Sequence, residues 1–354
     1  MNEPAPTPEP TDVWDQLRGS FAMPDCNADP AVLALAKRYT RNPERFESQL
    51  SAVLPRLVYV QQVAAQYGVA GEFALLPWVE SNFRPVRGKK HRAAGMWQIM
   101  PATAGSMGLR VDGHYDGRLD VPAATDAVMK LLKSYHDQFN DWRMADYAYN
   151  AGEFATKKFI TKHGVPADIP VIPHWSVHDV TRQHLTKLLA MACIVREPDR
   201  FNVSLPTLAS DEHLVQVKLP RAMPISIAAD HAGMSVDSLK DLNAAFSNDT
   251  VGTAVASYLL LPVGRVQQFR DALINQSTAA EGAGQFSNGN QPTATTSAPS
   301  SDRQHAHTHT VRPGDSLWQI AHQYSTNVNQ LKRWNHLGTK TLKPGQVLRV
   351  SSTN

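Results

Sequence analysis

Between Val13 and Val195 the apolar residues recur at intervals of three and four, and no run in that stretch alternates as a half-buried strand does. The longest run starts at Pro43. Phe46, Leu50, Val53, Leu54, Leu57, Val60, Val63 and Ala64 keep one face apolar until Tyr67-Gly68, where the glycine supplies a stop. Asp29-Pro30 and Asn42-Pro43 each set a capping side chain before a proline suited to the first helical position. Glu72 to Asn82 predicts a second helix, kinked at Pro77 inside it. "TDAVMKLLKSYHDQF" and "SVHDVTRQHLTKLLAMACIV" predict two more. Residues 12–200 are therefore expected to form an all-α domain.

The character changes after Pro198. "EHLVQVKLP" predicts a strand, "SIAADHAGMSVDSLKDLN" two short helices, and "SYLLLPVG" a closing strand. The same strand-helix-helix-strand order returns in "HTVRPGDSLWQIAHQYSTNVNQLKRWNHLGTKTLKPGQVLRV", so residues 209–268 and 309–350 form a weak internal repeat. Between them, residues 272–308 are rich in Ser, Thr, Ala, Gly and Asn and predict a flexible linker. It ends in alternate histidines, His305, His307 and His309, for which no fixed scaffold argues a metal site. Residues 1–11 are polar and Pro-rich and predict a disordered arm. The fold class expected overall is α+β, a helical domain followed by two small βααβ modules.

A formal charge of +3 over 354 residues, without a dense Lys/Arg cluster, argues against a nucleic-acid partner. No apolar run approaches the ~20 residues of a spanning helix. Met1-Asn2-Glu3-Pro4 opens no recognisable export signal, which leaves a cytoplasmic protein or a mature or trimmed chain. Cys26 and Cys193 have no metal or redox spacing, and free thiols and a single disulfide both remain open.

The stretch "PWVESNF" sets one acid, Glu80, among large apolar neighbours at a helix end. Apolar surroundings raise a carboxyl pKa, because the charged form loses water, and so keep it ready to donate a proton. The plain alternative is a solvated helix-end glutamate. Two further blocks follow: "GMWQIMP" from Gly95 and "AYNAG" from Ala148. Gln98 stands 18 residues after Glu80, and Tyr149 stands 51 after Gln98.

Glu80-Ser81 and those two blocks, in that order, resemble the lytic transglycosylase domain with the goose-lysozyme-like fold. "TVRPGDSLWQIA", "LKRWN" and "LKPGQVLRV" resemble a lysin motif, a βααβ carbohydrate-binding module. Residues 209–268 resemble a degenerate copy of it, with Pro220-Arg221-Ala222 in place of the Pro-Gly-Asp turn.

The resemblance implies cleavage of the MurNAc–GlcNAc β-1,4 bond of peptidoglycan without water, by Glu80 as single general acid and base. The product is a 1,6-anhydro sugar, and neither metal nor organic cofactor takes part. Ser81 resembles the serine that orients the acid, and alternatively caps the helix. Gln98 resembles a polar contact to sugar or acid. Met96, like Trp97, is as well placed for core as for the wall of a subsite. Tyr149 resembles the tyrosine that holds the Glu by its hydroxyl, and alternatively is a half-buried helix residue. Asn150 resembles a contact to an N-acetyl or hydroxyl group, and alternatively ends a helix. Gly95 and Gly152 are expected to let the backbone approach sugar. Gly314, Asp315, Ser316, Leu317 and the loop after Asn335 resemble the groove for N-acetylglucosamine units, with Trp318 and Trp334 as core. The implied partner is the glycan strand, the implied place the periplasm or outer-membrane side of an envelope, and the implied state a monomer. Relatives of this kind are lipid-anchored at an N-terminal Cys, which implies an anchor removed from this chain or a soluble homologue. A hydrolytic muramidase, a non-catalytic peptidoglycan-binding scaffold and a chitin-processing protein are the rival readings. Asp112, Asp116, Asp120 and Glu153 are the carboxylates nearest in sequence that a hydrolase would draw on.

Overall fold

The computed structural model describes residues 12–24, 26–88, 91–173 and 178–285, and, further on, 308–311, 317, 320, 328–335, 337, 343 and 345–350. The N-terminal arm and most of the segment expected as linker lie outside the described residues. The chain forms two compact units, residues 1–286 and 287–354.

The first unit begins with α1 (Val13–Gly19), capped by Asp12, and α2 (Pro30–Tyr39), whose cap Asp29 accepts from the Ala31 amide. The long helix α3 (Pro43–Tyr67) has Asn42 as cap and ends at Gly68, whose φ of 62° is the left-handed turn that favours glycine. The region read as one kinked helix is two elements. Gly71–Leu75 is a 3-10 turn, and α4 (Leu76–Ser81) starts afresh with Pro77 in its first turn. There the missing N–H costs nothing, because the first amides of a helix have no intrahelical partner. Then come α5 (Pro101–Ser106), α6 (Val121–Phe139), α7 (Trp142–Ala151), α8 (Glu153–His163) and α9 (Asp179–Arg196). Apolar faces of α3, α6, α7 and α9 share one core with Phe73, Leu75 and Trp97. No strand is assigned among the described residues of 12–200, so this part is helical as expected.

Cys26 and Cys193 form a disulfide, with Cα atoms 5.0 Å apart. It fastens the N-terminal segment to α9. Glu72 reinforces the same seam: its buried carboxylate accepts from the Ala22 and Met23 amides, with Arg196 3.7 Å away. Burial raises the Glu72 pKa, against the lowering by these partners.

The repeat module that follows has β1 (Leu214–Lys218) antiparallel to β4 (Tyr258–Pro262), and β2 (Met223–Pro224) antiparallel to β3 (Thr250–Val251). Helices α10 (Ile225–Ala232) and α11 (Val236–Leu242) lie between. Asn243 braces it, donating to the carbonyls of Leu239 and Leu260 and accepting from the Leu260 amide at 2.8 Å. The module is built into the helical body. Tyr115 and Leu119 enter its core, and Leu214 and Leu260 enter the helical one. The hydroxyls of Tyr115 and Tyr258 both donate to Asp120, at 2.7 and 2.8 Å.

α12 (Val263–Gln285) then runs into the stretch expected as linker from residue 272. Val266, Phe269 and Leu273 pack on the module's core at helical spacing, and that packing outweighs the small-residue composition behind the linker reading.

In the second unit β5 (Thr308–Thr310) pairs antiparallel with β6 (Val347–Arg349), with α13 (Val328–Trp334) between. Most of the first helix expected there lies outside the described residues. The overall class is α+β.

Candidate active site

Glu80 is the penultimate residue of α4. Of its sequence neighbours, Trp78 packs on Phe46, ring centroids 5.5 Å apart, and Phe83 is buried in the core. The Glu80 carboxyl meets α9. His184 Nε2 lies 2.8 Å from Glu80 Oε1, and His184 Nδ1 lies 2.9 Å from Asp146 Oδ1 on α7. Side-chain exposure is 17 % for Glu80, 7 % for His184 and zero for Asp146, so the chain of groups runs from the surface inward. Burial alone pushes the His184 imidazole down, but the Asp146 carboxylate and then Glu80 overcome it and raise it to about 10.

The Gly95 block is a tight turn in which Ala94 and Ile99 exchange backbone hydrogen bonds. Gly95 has φ +79°, and a Cβ there would lie 1.8 Å from the Arg118 carbonyl oxygen. This glycine thus permits a close approach to the Arg118 backbone. Gly152 has φ +92° with open space around it, so its need for glycine comes from the backbone angle. Trp97 and Met96 are core residues, and the Trp97 indole donates to Thr125. Gln98 Nε2 donates to the Gly95 carbonyl at 2.7 Å. Gln98 and exposed Met100 also line an open cavity of about 760 Å³, with Val86, Arg87, His91 and Arg92.

The three blocks are tied through carbonyls of this turn. Ser81 Oγ donates to the Met96 carbonyl at 2.9 Å, so it joins two blocks. The Tyr149 hydroxyl donates to the Trp97 carbonyl at 2.5 Å, where a bond to Glu80 was expected. Its ring instead stacks on His184, centroids 6.3 Å apart. Burial, and then the charges of Glu80 and Asp146, raise its pKa well above 10, so it remains a donor. Asn150 Oδ1 accepts from the Thr181 hydroxyl at 2.9 Å.

The carboxylates nearest in sequence are engaged elsewhere. Asp112 accepts from Arg110 and from the His114 and Tyr115 amides, Asp116 pairs with buried Arg118, Asp120 caps α6, and Glu153 pairs with Lys157. Sequence reasoning missed His184 and Asp146. The one available signal was that Asp146 lies three residues before Tyr149, on the same face of α7.

Of the lysin-motif groove residues, Gly314, Asp315 and Ser316 lie outside the described residues, as do Trp318, His305 and His307. Leu317 packs on the small core of Val311, Ile320, Leu331, Leu348 and Val350, and Trp334 is half-buried at the end of α13. Among the described residues no group of three or more His, Cys, Asp or Glu is gathered as for a metal ion, and no helix is long and apolar enough to cross a membrane.

Comparison with known proteins matches three segments. Residues 59–171 match the Transglycosylase SLT domain, residues 213–278 the LysM-like domain of lytic transglycosylase MltD, and residues 309–351 the LysM domain. Membrane-bound lytic murein transglycosylase D of Escherichia coli (strain K12) is 30% identical over 320 residues, 89% of this chain and 68% of the relative. The N-acetylmuramoyl-L-alanine amidase sle1 of Staphylococcus haemolyticus is 49% identical over 47 residues, 13% of this chain and 14% of its own. The second likeness is confined to one small segment. The first is too long to rest on any single module, and on that ground the chain belongs to the family of membrane-bound lytic murein transglycosylase D.

Proposed function

We propose that this chain is a lytic transglycosylase that cleaves peptidoglycan at the MurNAc–GlcNAc β-1,4 bond, with Glu80 as acid and then base. The observation that carries the reading is the position of the Glu80 carboxyl. Its one described hydrogen bond is to an imidazole rather than to a second carboxylate. A hydrolase of the usual kind needs a second carboxylate near the sugar to activate water or to attack. In the non-hydrolytic route the protonated Glu80 gives its proton to the glycosidic oxygen. The carboxylate left behind takes the proton of the substrate's own C6 hydroxyl, whose oxygen closes on the anomeric carbon. The reading invokes no metal and no organic cofactor. Ser81 and Tyr149 hold the Gly95 turn against the acid, and Gln98 and Asn150 offer polar contacts to glycan.

The lysin motif of the second unit is read as a tether. It holds the catalytic unit at high local concentration on the polymer without adding contacts to the scissile bond. A monomer facing the wall from the periplasm, with or without a lipid anchor, is the cellular setting. The Cys26–Cys193 disulfide supports an oxidising compartment.

The test is mass spectrometry of purified sacculi digested with wild type and with Glu80→Gln. Anhydro-muropeptides from wild type and none from the variant are expected. Reducing-end products would instead mean that water attacks. An inert but folded wild type would favour the binding-scaffold reading.

A further inference from the structure

The reaction proposed for Glu80 needs that carboxyl protonated at the start and ionised midway. Two groups outside the three blocks bear on this. Asp146 is fully buried, and its Oδ2 has no hydrogen-bond partner. A buried carboxylate is stable as an anion only beside a cation or a donated N–H. His184 supplies it, so Asp146 fixes the ring with hydrogen on Nδ1. Nε2 then faces Glu80 Oε1 at 2.8 Å, a contact that requires one proton between the two atoms. That proton has two seats. On Nε2 it makes an imidazolium beside two carboxylates. On Glu80 it makes a carboxylic acid beside a neutral ring. The three groups carry the same total charge in both.

We propose that His184, braced by Asp146, is a positioning residue that keeps this proton shared with Glu80 and hands it to the carboxyl when glycan covers the site. The proposal rests on the reading of Glu80 as acid and base. Covering the site removes water, and in a drier site the neutral pair gains on the separated charges.

The steps balance. The proton passes from Nε2 to the Glu80 carboxylate, while Nδ1–H stays on Asp146. The terminal torsion of a glutamate is broad and about two-fold, so the acid can turn toward the cleft. It protonates the glycosidic oxygen, which leaves with the electron pair of the broken C–O bond. The C6 oxygen forms the new bond to the anomeric carbon, and its proton returns through Glu80 to Nε2. One C–O bond breaks and one forms, and no proton is gained or lost.

Among the described residues, the contacts of the His184 ring come from α7 and α4. From α7 they are Asp146 and the ring of Tyr149, whose hydroxyl is engaged at Trp97. From α4 it is Glu80. Glu72, on the 71–75 turn packed against α9, is directed to Arg196 and to the Ala22 and Met23 amides.

The test measures kcat and KM against pH on soluble glycan strands. It uses full-length wild type, Asp146→Asn and His184→Gln, each first checked for folding by circular dichroism and melting. Asp146→Asn keeps the shape but removes the charge that holds the proton. The expected result is an alkaline limb of kcat at least about one pH unit lower, a neutral rate about 10- to 100-fold lower, and KM little changed. A pair that merely packs would lower kcat by one factor at every pH and leave the limb in place, which would overturn the proposal. A second measurement covers variants that fail to fold. Nitrogen-15 histidine spectra of wild type and Glu80→Gln should show the His184 ring releasing its proton at lower pH in the variant. An unchanged titration would overturn the relay as well. The spectra need no turnover. A wild type that titrates as expected but cleaves nothing therefore counts against the proposed reaction and not against the relay.

Discussion

The two repeat modules share a frame and differ in what surrounds it. In the first, Asn243 bridges the Leu239 carbonyl and the backbone of Leu260; in the second, Asn335 bridges the Leu331 carbonyl and the backbone of Arg349. Leu239 and Leu331 are both fully buried. Around this common brace the surfaces diverge. The second module closes a core of its own from Val311, Ile320, Leu331, Leu348 and Val350. The first shares its core with Tyr115 and Leu119 of the helical body. The loop after Asn243 is also engaged: the Asp116 amide donates to the Ala245 carbonyl, the Ser247 amide to the His114 carbonyl, and Phe246 meets Tyr115 edge-on. The corresponding loop after Asn335 is the one likened to a glycan groove. One frame thus either shares its core with a helical body or closes a core of its own. The residues around the brace decide which.

Paired substitutions test this division. The largest effect is expected from Leu260→Ala, which opens a cavity in the helical core and should cost about 2–5 kcal/mol of the catalytic unit's stability. Leu348→Ala should unfold or loosen only the second module. Calorimetry that shows one shared transition affected by both changes would break the comparison.

A pH titration of melting is next. His184 has a folded pKa of about 10, above the ~6.5 of an unfolded histidine. Its contribution is therefore complete below about pH 6.5 and is lost as pH rises through 10. The catalytic unit's melting temperature should fall across that window, and fall less in Asp146→Asn. The second module should show no matching change.

Asn243→Ala and Asn335→Ala each strand buried backbone groups, at about 1–3 kcal/mol. The first should lower the catalytic unit's melting point, and the second should weaken sedimentation with sacculi while turnover of soluble strands persists. The smallest effect is expected for Tyr258→Phe, which removes one of two hydroxyls from Asp120 and should cost about 0.5–1.5 kcal/mol in the catalytic unit alone.

Much of this was legible in the chain itself. The apolar period of α3 and its Asn42 and Gly68 ends are local properties, and so is the strand-helix-helix-strand order of the repeat. Pro77 misled because its place depends on whether a helix begins or continues there, which tertiary packing of Phe73 and Leu75 settles. Residues 272–285 were read as linker rather than helix because composition was weighed over the spacing of Val266, Phe269 and Leu273. The acid was legible, but its surroundings were not. Trp78 and Phe83 neighbour Glu80 in sequence, but the group that its carboxyl bonds is His184, 104 residues away. Tyr149 gave its hydroxyl to Trp97 for the same kind of reason, since the choice between two acceptors is made by helix packing.

The Cys26–Cys193 bond has a topological consequence. Cys26 and Cys193 stand 167 positions apart, and Glu80, Gln98, Asp146, Tyr149 and His184 all lie between them on one covalent ring. A protease that nicks an exposed loop between the two cysteines opens the ring but releases no fragment. A single cut there leaves one covalent molecule.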